Sequence, residues 1–275
     1  MERNVAGRVA KALIEVPGVQ AVVLGGSHCT GTATEFSDLD IGAYYGEGLD
    51  TQRMSGALNS LDDAHRENLL NKPGEWGKWI NGGAWLTVEG RKVDILLRDI
   101  TRVANVIDDC QQGRVTVDFM AGHPFGFVNA IYMGEVKYCL PLEDSQHVMD
   151  GLKRRCDPVS KAYRDAASKW FLWEAEFSAM TGRSSIAKKD IVYASGTLFK
   201  GILCLTHALF AANGEILLNE KGALRRLAQT SFCPPGFVLG AEAALTGLDK
   251  NNLGPGFDLL EEKCREVSKL LHGNE

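Results

Sequence analysis

The chain has 275 residues, 45% of them hydrophobic and 24% charged, with a formal net charge of -5; length and composition suit two compact domains that need no covalent staples. The acidic balance argues against a chain built to grip nucleic acid, which shows a basic patch or stripe. Seven cysteines at irregular spacing, without a C-x-x-C pair, read as free thiols of a reducing compartment and exclude a disulfide or zinc-finger framework.

At the amino terminus Val5, Val9, Leu13 and Val16 recur at helical spacing, and Pro17-Gly18 stops the helix. Charges run through these first turns, so no signal peptide is expected. The most apolar later stretch, residues 197–212, falls short of a membrane span and holds Lys200 and His207. A soluble cytoplasmic protein with no membrane partner is the expectation. A short β-branched strand over 19–24 ends at Gly25-Gly26, and residues 38–45 suit a second, buried strand. An amphipathic helix follows over 51–64. Residues 85–88 and 91–97 flank Glu89-Gly90, a tight turn joining two antiparallel strands.

Beyond Pro141 strand-like runs almost vanish. Asp157-Pro158 reads as a helix start, with Asp as cap and Pro in the first turn. Val159, Tyr163, Ala166, Trp170, Trp173, Phe177 and Met180 then draw one apolar stripe, expected to be core. A second helix carries Ile191, Ala194, Leu198, Ile202, Leu205 and Leu209 and stops at Asn213-Gly214. Further helices near 219–230, 238–247 and 256–272 complete a bundle. The expected fold is α+β: a small mixed-sheet domain over residues 1–145, then a helical domain over 146–275. The basic run Lys153-Arg154-Arg155 reads as a solvated helix end.

The chemistry concentrates in two segments. In Ser37-Asp38-Leu39-Asp40-Ile41, alternation along a strand sends both carboxylates to one face and the apolar residues to the other. Paired carboxylates repel unless solvent or a divalent cation compensates them, and hard oxygen ligands at this density suit Mg²⁺ or Mn²⁺. Asp94 interrupts the apolar Val93-Asp94-Ile95-Leu96-Leu97, where a lone acid is expensive to bury without a partner. If that strand lies beside the first, three carboxylates converge. Gly25 and Gly26 end the first strand without side chains, so backbone N–H groups and the Ser27 hydroxyl can approach an anionic ligand such as a triphosphate. The Gly26 to Gly31 spacing imitates a P-loop, but Thr32 occupies the position that requires lysine.

GGS, then SDLD, then a single Asp in VDILL resembles the nucleotidyltransferase superfamily typified by DNA polymerase beta, which includes antibiotic nucleotidyltransferases; the motifs span residues 24–97. The resemblance implies an enzyme that moves a nucleoside monophosphate, AMP in the simplest case, from ATP or another nucleoside triphosphate to a hydroxyl acceptor. It also implies two Mg²⁺ ions held by Asp38 and Asp40 together with Asp94, Asp94 also positioning or deprotonating the acceptor hydroxyl, and Gly26 and Ser27 holding the triphosphate. Where many relatives carry Arg-Gly in the intervening loop, this chain has Thr30-Gly31. The helical half resembles the carboxy-terminal domain of antibiotic-type members, which points to a small antibiotic, an aminoglycoside or a lincosamide, as acceptor. It also gives Lys221 a phosphate role, against a plain surface lysine; Lys200 is a poorer candidate for the same role.

Glu135 competes with Asp94 as general base, and Asp94 is preferred because Glu135 can be read as an ordinary exposed helix residue. His28 lies in the phosphate loop. His123 sits in a turn-rich segment that reads as structural. Trp76, Trp79 and Trp85 gather around an irregular glycine-rich loop, as packing or as a surface on which a ring stacks. Protein AMPylation and a noncatalytic nucleotide-binding module are the alternative functions, and base preference and oligomeric state stay open.

Overall fold

The structure, a computed structural model, describes residues 2–35 and 37–273. In chain order the elements are α1 (Glu2–Ile14), β1 (Val19–Leu24), α2 (Gly26–Thr30), β2 (Leu39–Tyr45), α3 (Thr51–Leu61), α4 (Gly77–Ile80), β3 (Gly83–Val88), β4 (Arg91–Asp99) and α5 (Ile100–Gln111). Then come β5 (Val117–Met120), β6 (His123–Val128), α6 (Ala130–Tyr138), β7 (Leu140–Glu143), α7 (Val148–Cys156) and α8 (Lys161–Gly182). The chain closes with α9 (Ser184–Lys188), α10 (Ile191–Ala212), α11 (Ala223–Leu227), α12 (Phe237–Thr246) and α13 (Gly254–His272). The fold is α+β, a mixed sheet followed by helices.

Contacts gather the chain into two compact units, residues 1–108 with 132–158, and residues 109–131 with 159–275. A single cut at 145/146 and this division differ over 109–131 and 146–158.

The first unit is built on a five-stranded sheet ordered β3-β4-β2-β1-β7. β2 and β4 are parallel, and the other pairs are antiparallel. The β3–β4 hairpin turns where the sequence reads a turn, because Glu89 and Gly90 both adopt positive φ, 51° and 73°, the conformation a two-residue turn needs to match strand twist. On one face Leu39, Ile41 and Ala43 of β2 and Val93, Ile95 and Leu97 of β4 pack with Val5, Val9 and Leu13 of α1 and Met54 and Leu58 of α3. α3 begins at Asp50, whose carboxylate accepts from the N–H groups of Gln52 and Arg53 at 3.0 and 2.9 Å. The opposite face bears Asp40, Gly42 and Tyr44 on β2 and Asp94, Leu96 and Arg98 on β4, by strand alternation.

The second unit pairs β5 with β6 and packs α8, α10 and α13 together. Two sequence expectations are corrected here. Asp157 ends α7 and does not start α8; the cap of α8 is Ser160, whose hydroxyl accepts from the Tyr163 N–H at 3.0 Å. The aromatic stripe of α8 is only partly core, since Trp173, Phe177 and Met180 are 54%, 43% and 62% exposed. The buried face of α8 carries Tyr163, Phe171 and Leu172 with Ala167, Ala175, Ala179 and Gly182, the last four being small residues that let neighbouring helices approach closely. Gly182 leaves no room for a side chain: a Cβ there would stand 2.3 Å from the Phe257 ring of α13. α10 runs further than the apolar stretch read from sequence. Its length and composition would suit a membrane span, and 72% of its apolar window is buried within the fold.

Candidate active site

The loop after β1 turns into the single turn α2, and that turn depends on glycine. Gly26 has φ 58°, and a Cβ there would stand 1.7 Å from Asp40 Oδ2. The absence of a side chain therefore lets the Asp40 carboxylate lie directly against the loop backbone. The two segments are also tied by Gly25 N–H donating to the Asp40 carbonyl at 2.8 Å. Ser27 follows on α2, and the Cys29 thiol donates back to the Leu24 carbonyl at 3.1 Å, bracing the turn.

Parallel pairing of β2 with β4 sets Asp40 in register with Asp94. The two carboxylates therefore stand side by side on the open face, and the charge of Asp38, just before β2, acts on Asp40. The electrostatics record the crowding. Burial, then the charges of Asp94, Asp38 and Glu135, push the Asp40 carboxyl up to about 6, with His28 opposing. Hard carboxylate oxygens gathered in this number suit a divalent cation. Among the described residues no group of three or more His, Cys, Asp or Glu side chains is placed so that it could hold a metal ion.

Glu135 is not the exposed helix residue expected from sequence. From α6 it accepts from Arg98 Nε and Nη2, both at 2.7 Å, while the Arg98 side chain is only 3% exposed. Arg98 also donates to the Ile80 carbonyl at 2.9 Å and lies over the Tyr132 ring at 5.0 Å. Burial works against the guanidinium, but the Glu135 carboxylate prevails and holds Arg98 well above its usual range. Arginine in a sheet strand gave no signal of this pair, because its partner arrives from a helix far along the chain.

The other candidates separate. Trp79 is 5% exposed and meets Tyr132 edge-on at 5.5 Å, a packing role. Trp85, by contrast, is 59% exposed and lies tilted by 30° against Trp76, with ring centroids 4.5 Å apart. Within the second unit, Lys200 pairs with Glu174 at 2.6 Å. Lys221 lies on an exposed turn and donates its backbone N–H to Asn219 Oδ1 at 2.8 Å. His123 opens β6, faces Glu220 at 3.5 Å and packs edge-on against Phe127. The Lys153-Arg154-Arg155 run forms the last turn of α7, where Lys153 donates to the Cys139 carbonyl at 2.6 Å.

Residues 7–116 match the family model described as Nucleotidyltransferase domain. That stretch contains Gly26, Ser27, Asp38, Asp40 and Asp94, so the chain carries a nucleotidyltransferase domain and takes a nucleoside triphosphate as substrate. No curated protein matches the chain at significance. A crystal structure of a nucleotidyltransferase-like protein from Exiguobacterium sibiricum aligns with TM-score 0.47 and 11% identity, over 100% of this chain and 77% of that one.

Proposed function

We propose that this nucleotidyltransferase moves AMP from ATP to a hydroxyl of a small acceptor, with Asp38, Asp40 and Asp94 as its working carboxylates. The observation that carries the reading is the register of Asp40 with Asp94 on the open sheet face, against the glycine turn. Asp38 and Asp40 would hold Mg²⁺, two ions in the full site. Bound divalent ions neutralise triphosphate charge and lower the pKa of an acceptor hydroxyl. Backbone N–H groups at Gly26 and the Ser27 hydroxyl hold phosphate oxygens. Asp94 receives the acceptor proton as the acceptor oxygen bonds to the α-phosphorus, the bond from that phosphorus to the bridging oxygen breaks, and pyrophosphate departs. Positioning and charge neutralisation dominate such a transfer.

Asp94 is preferred to Glu135 as the base because both Glu135 oxygens already accept from Arg98. Lys221 enters as a phosphate ligand through the family resemblance alone. The net charge of -5 and the acid row favour an amine-bearing acceptor, and an aminoglycoside or lincosamide fits. Pyrophosphate release from ATP and Mg²⁺ against an acceptor panel tests the reading. Asp94→Asn should abolish release while helical content is unchanged; near wild-type turnover of that variant would refute it.

A further inference from the structure

We propose that Trp85, backed by Trp76, is the wall on which the acceptor lays a flat ring face, beside the carboxylate that receives its hydroxyl proton. This rests on the reaction assigned above, which makes Asp94 the acceptor side of the site. β4 pairs with β2 on one edge and with β3 on the other, and the registers align: Asp40 opposes Asp94, and Asp94 opposes Trp85. Opposed residues of neighbouring strands point to the same face, so Asp40, Asp94 and Trp85 form one row across three strands. Directly opposed antiparallel residues hold their Cβ atoms about 4.5–5.5 Å apart. A ligand resting on the indole therefore reaches the Asp94 carboxylate without leaving the row.

The wall is preformed. Trp76 lies on a loop closed by reciprocal hydrogen bonds between Asn71 and Gly83 at 2.8 and 2.9 Å. Asn81 accepts from the N–H groups of Gly74 and Trp76 at 2.9 and 3.0 Å and donates from its amide to the Tyr45 hydroxyl at 2.9 Å. A Cβ at Gly83 would meet the Ile95 carbonyl oxygen at 1.8 Å and Trp76 Cζ3 at 2.9 Å, so the glycine lets both the strand and the Trp76 ring close in. Arg66 holds the Trp85 carbonyl at 3.1 Å. One side of the Trp85 indole is thus supported by Trp76, and the residue as a whole stays 59% exposed. Its neighbour Trp79 shows what a packing tryptophan looks like in the same loop, at 5% exposed. An indole face takes the C–H face of a sugar or an aromatic ring, and it attracts a protonated amine through its quadrupole. Next to two carboxylates, that chemistry selects an amine-bearing ring with a hydroxyl.

Equilibrium dialysis tests it with kanamycin and lincomycin as ring-faced amines and 1-amino-1-deoxysorbitol as an acyclic amino-polyol of similar polar chemistry. Wild type, Trp85→Leu and Trp85→Phe are compared, each also titrated with Mg²⁺ and ATP. At least one ring-faced probe should bind about tenfold tighter than the acyclic one, within the worth of aromatic stacking. Trp85→Leu should erase that difference, Trp85→Phe should keep most of it, and ATP affinity should be the same in all three. Ring-faced probes binding no tighter than the acyclic one, or wild-type binding by Trp85→Leu, would overturn the proposal. Failure of wild type to bind ATP would instead overturn the reaction on which it rests, and the wall with it.

Discussion

Asp40→Asn should make the protein more stable while removing its activity. The folded chain pushes the Asp40 carboxyl from 3.8 to about 6, so the folded state holds that proton more tightly than the unfolded chain does. Its contribution is favourable at low pH and is lost as pH rises through the window from 3.8 to about 6; above that the ionised carboxylate weighs against folding. The separation corresponds to a ceiling of about 3 kcal/mol. Screening of the neighbouring acids by water and salt reduces it to about 1–2 kcal/mol. That is roughly 2–6 °C in melting temperature for a domain of this size. Asparagine has the same size and no charge. Thermal melts followed by circular dichroism, without divalent cation, should therefore show the variant ahead at pH 8 and the gain shrinking at pH 5. Added Mg²⁺ should raise the wild-type melting temperature and leave the variant nearly unmoved. Equal melting temperatures at pH 8, or a gain undiminished at pH 5, would refute the reasoning.

Gly26→Ala should leave the fold intact but displace the Asp40 carboxylate, because the new methyl would stand 1.7 Å from it; transfer should fall at least about 10²-fold, measured as pyrophosphate release. Glu135→Gln should cost about 3 kcal/mol in a urea titration by leaving the buried Arg98 charge half-compensated. If Glu135 is also the general base, the transfer rate should drop as well, by about 10² to 10⁴. His207 stacks on Phe125 and Phe171 at centroid distances of 5.0 and 4.7 Å, and burial holds its imidazole down to about 3. The unfolded chain takes up that proton below 6.5 and the folded one does not, so stability should fall by about 2 kcal/mol between pH 7 and pH 5. His207→Phe keeps the stack and should flatten that side of the melting profile.

Local pattern carried much of this molecule. The β3–β4 hairpin was legible because Glu89-Gly90 is turn chemistry contained in two residues, and α1, α3 and α10 were legible because their apolar spacing matches a helix. β5 and β6 were missed, because short strands around Gly122 and Gly126 carry no clean period, and the burial of Glu135 was misread, because α6 has apolar residues on every side. The stripe on α8 misled for a related reason. Two apolar faces coexist on that helix, one ending in Trp173, Phe177 and Met180 and one carrying Phe171 among small residues, and periodicity does not say which of them meets a neighbour.

The three aspartates were singled out from sequence by charge alone, since an acid pair on one strand face and a lone acid in an apolar strand both demand compensation. Their juxtaposition was not contained in either segment. It follows from the parallel pairing of β2 with β4 across more than forty intervening residues, an arrangement set by burial of Leu39, Ile41, Val93 and Ile95 on the opposite face. The same pairing aligned Trp85 with Asp94 and brought Arg98 to the face where Glu135 meets it. Residue type and alternation are local and can be read along the chain; strand order and helix docking minimise exposed apolar area over the whole unit, and only the folded structure decides them.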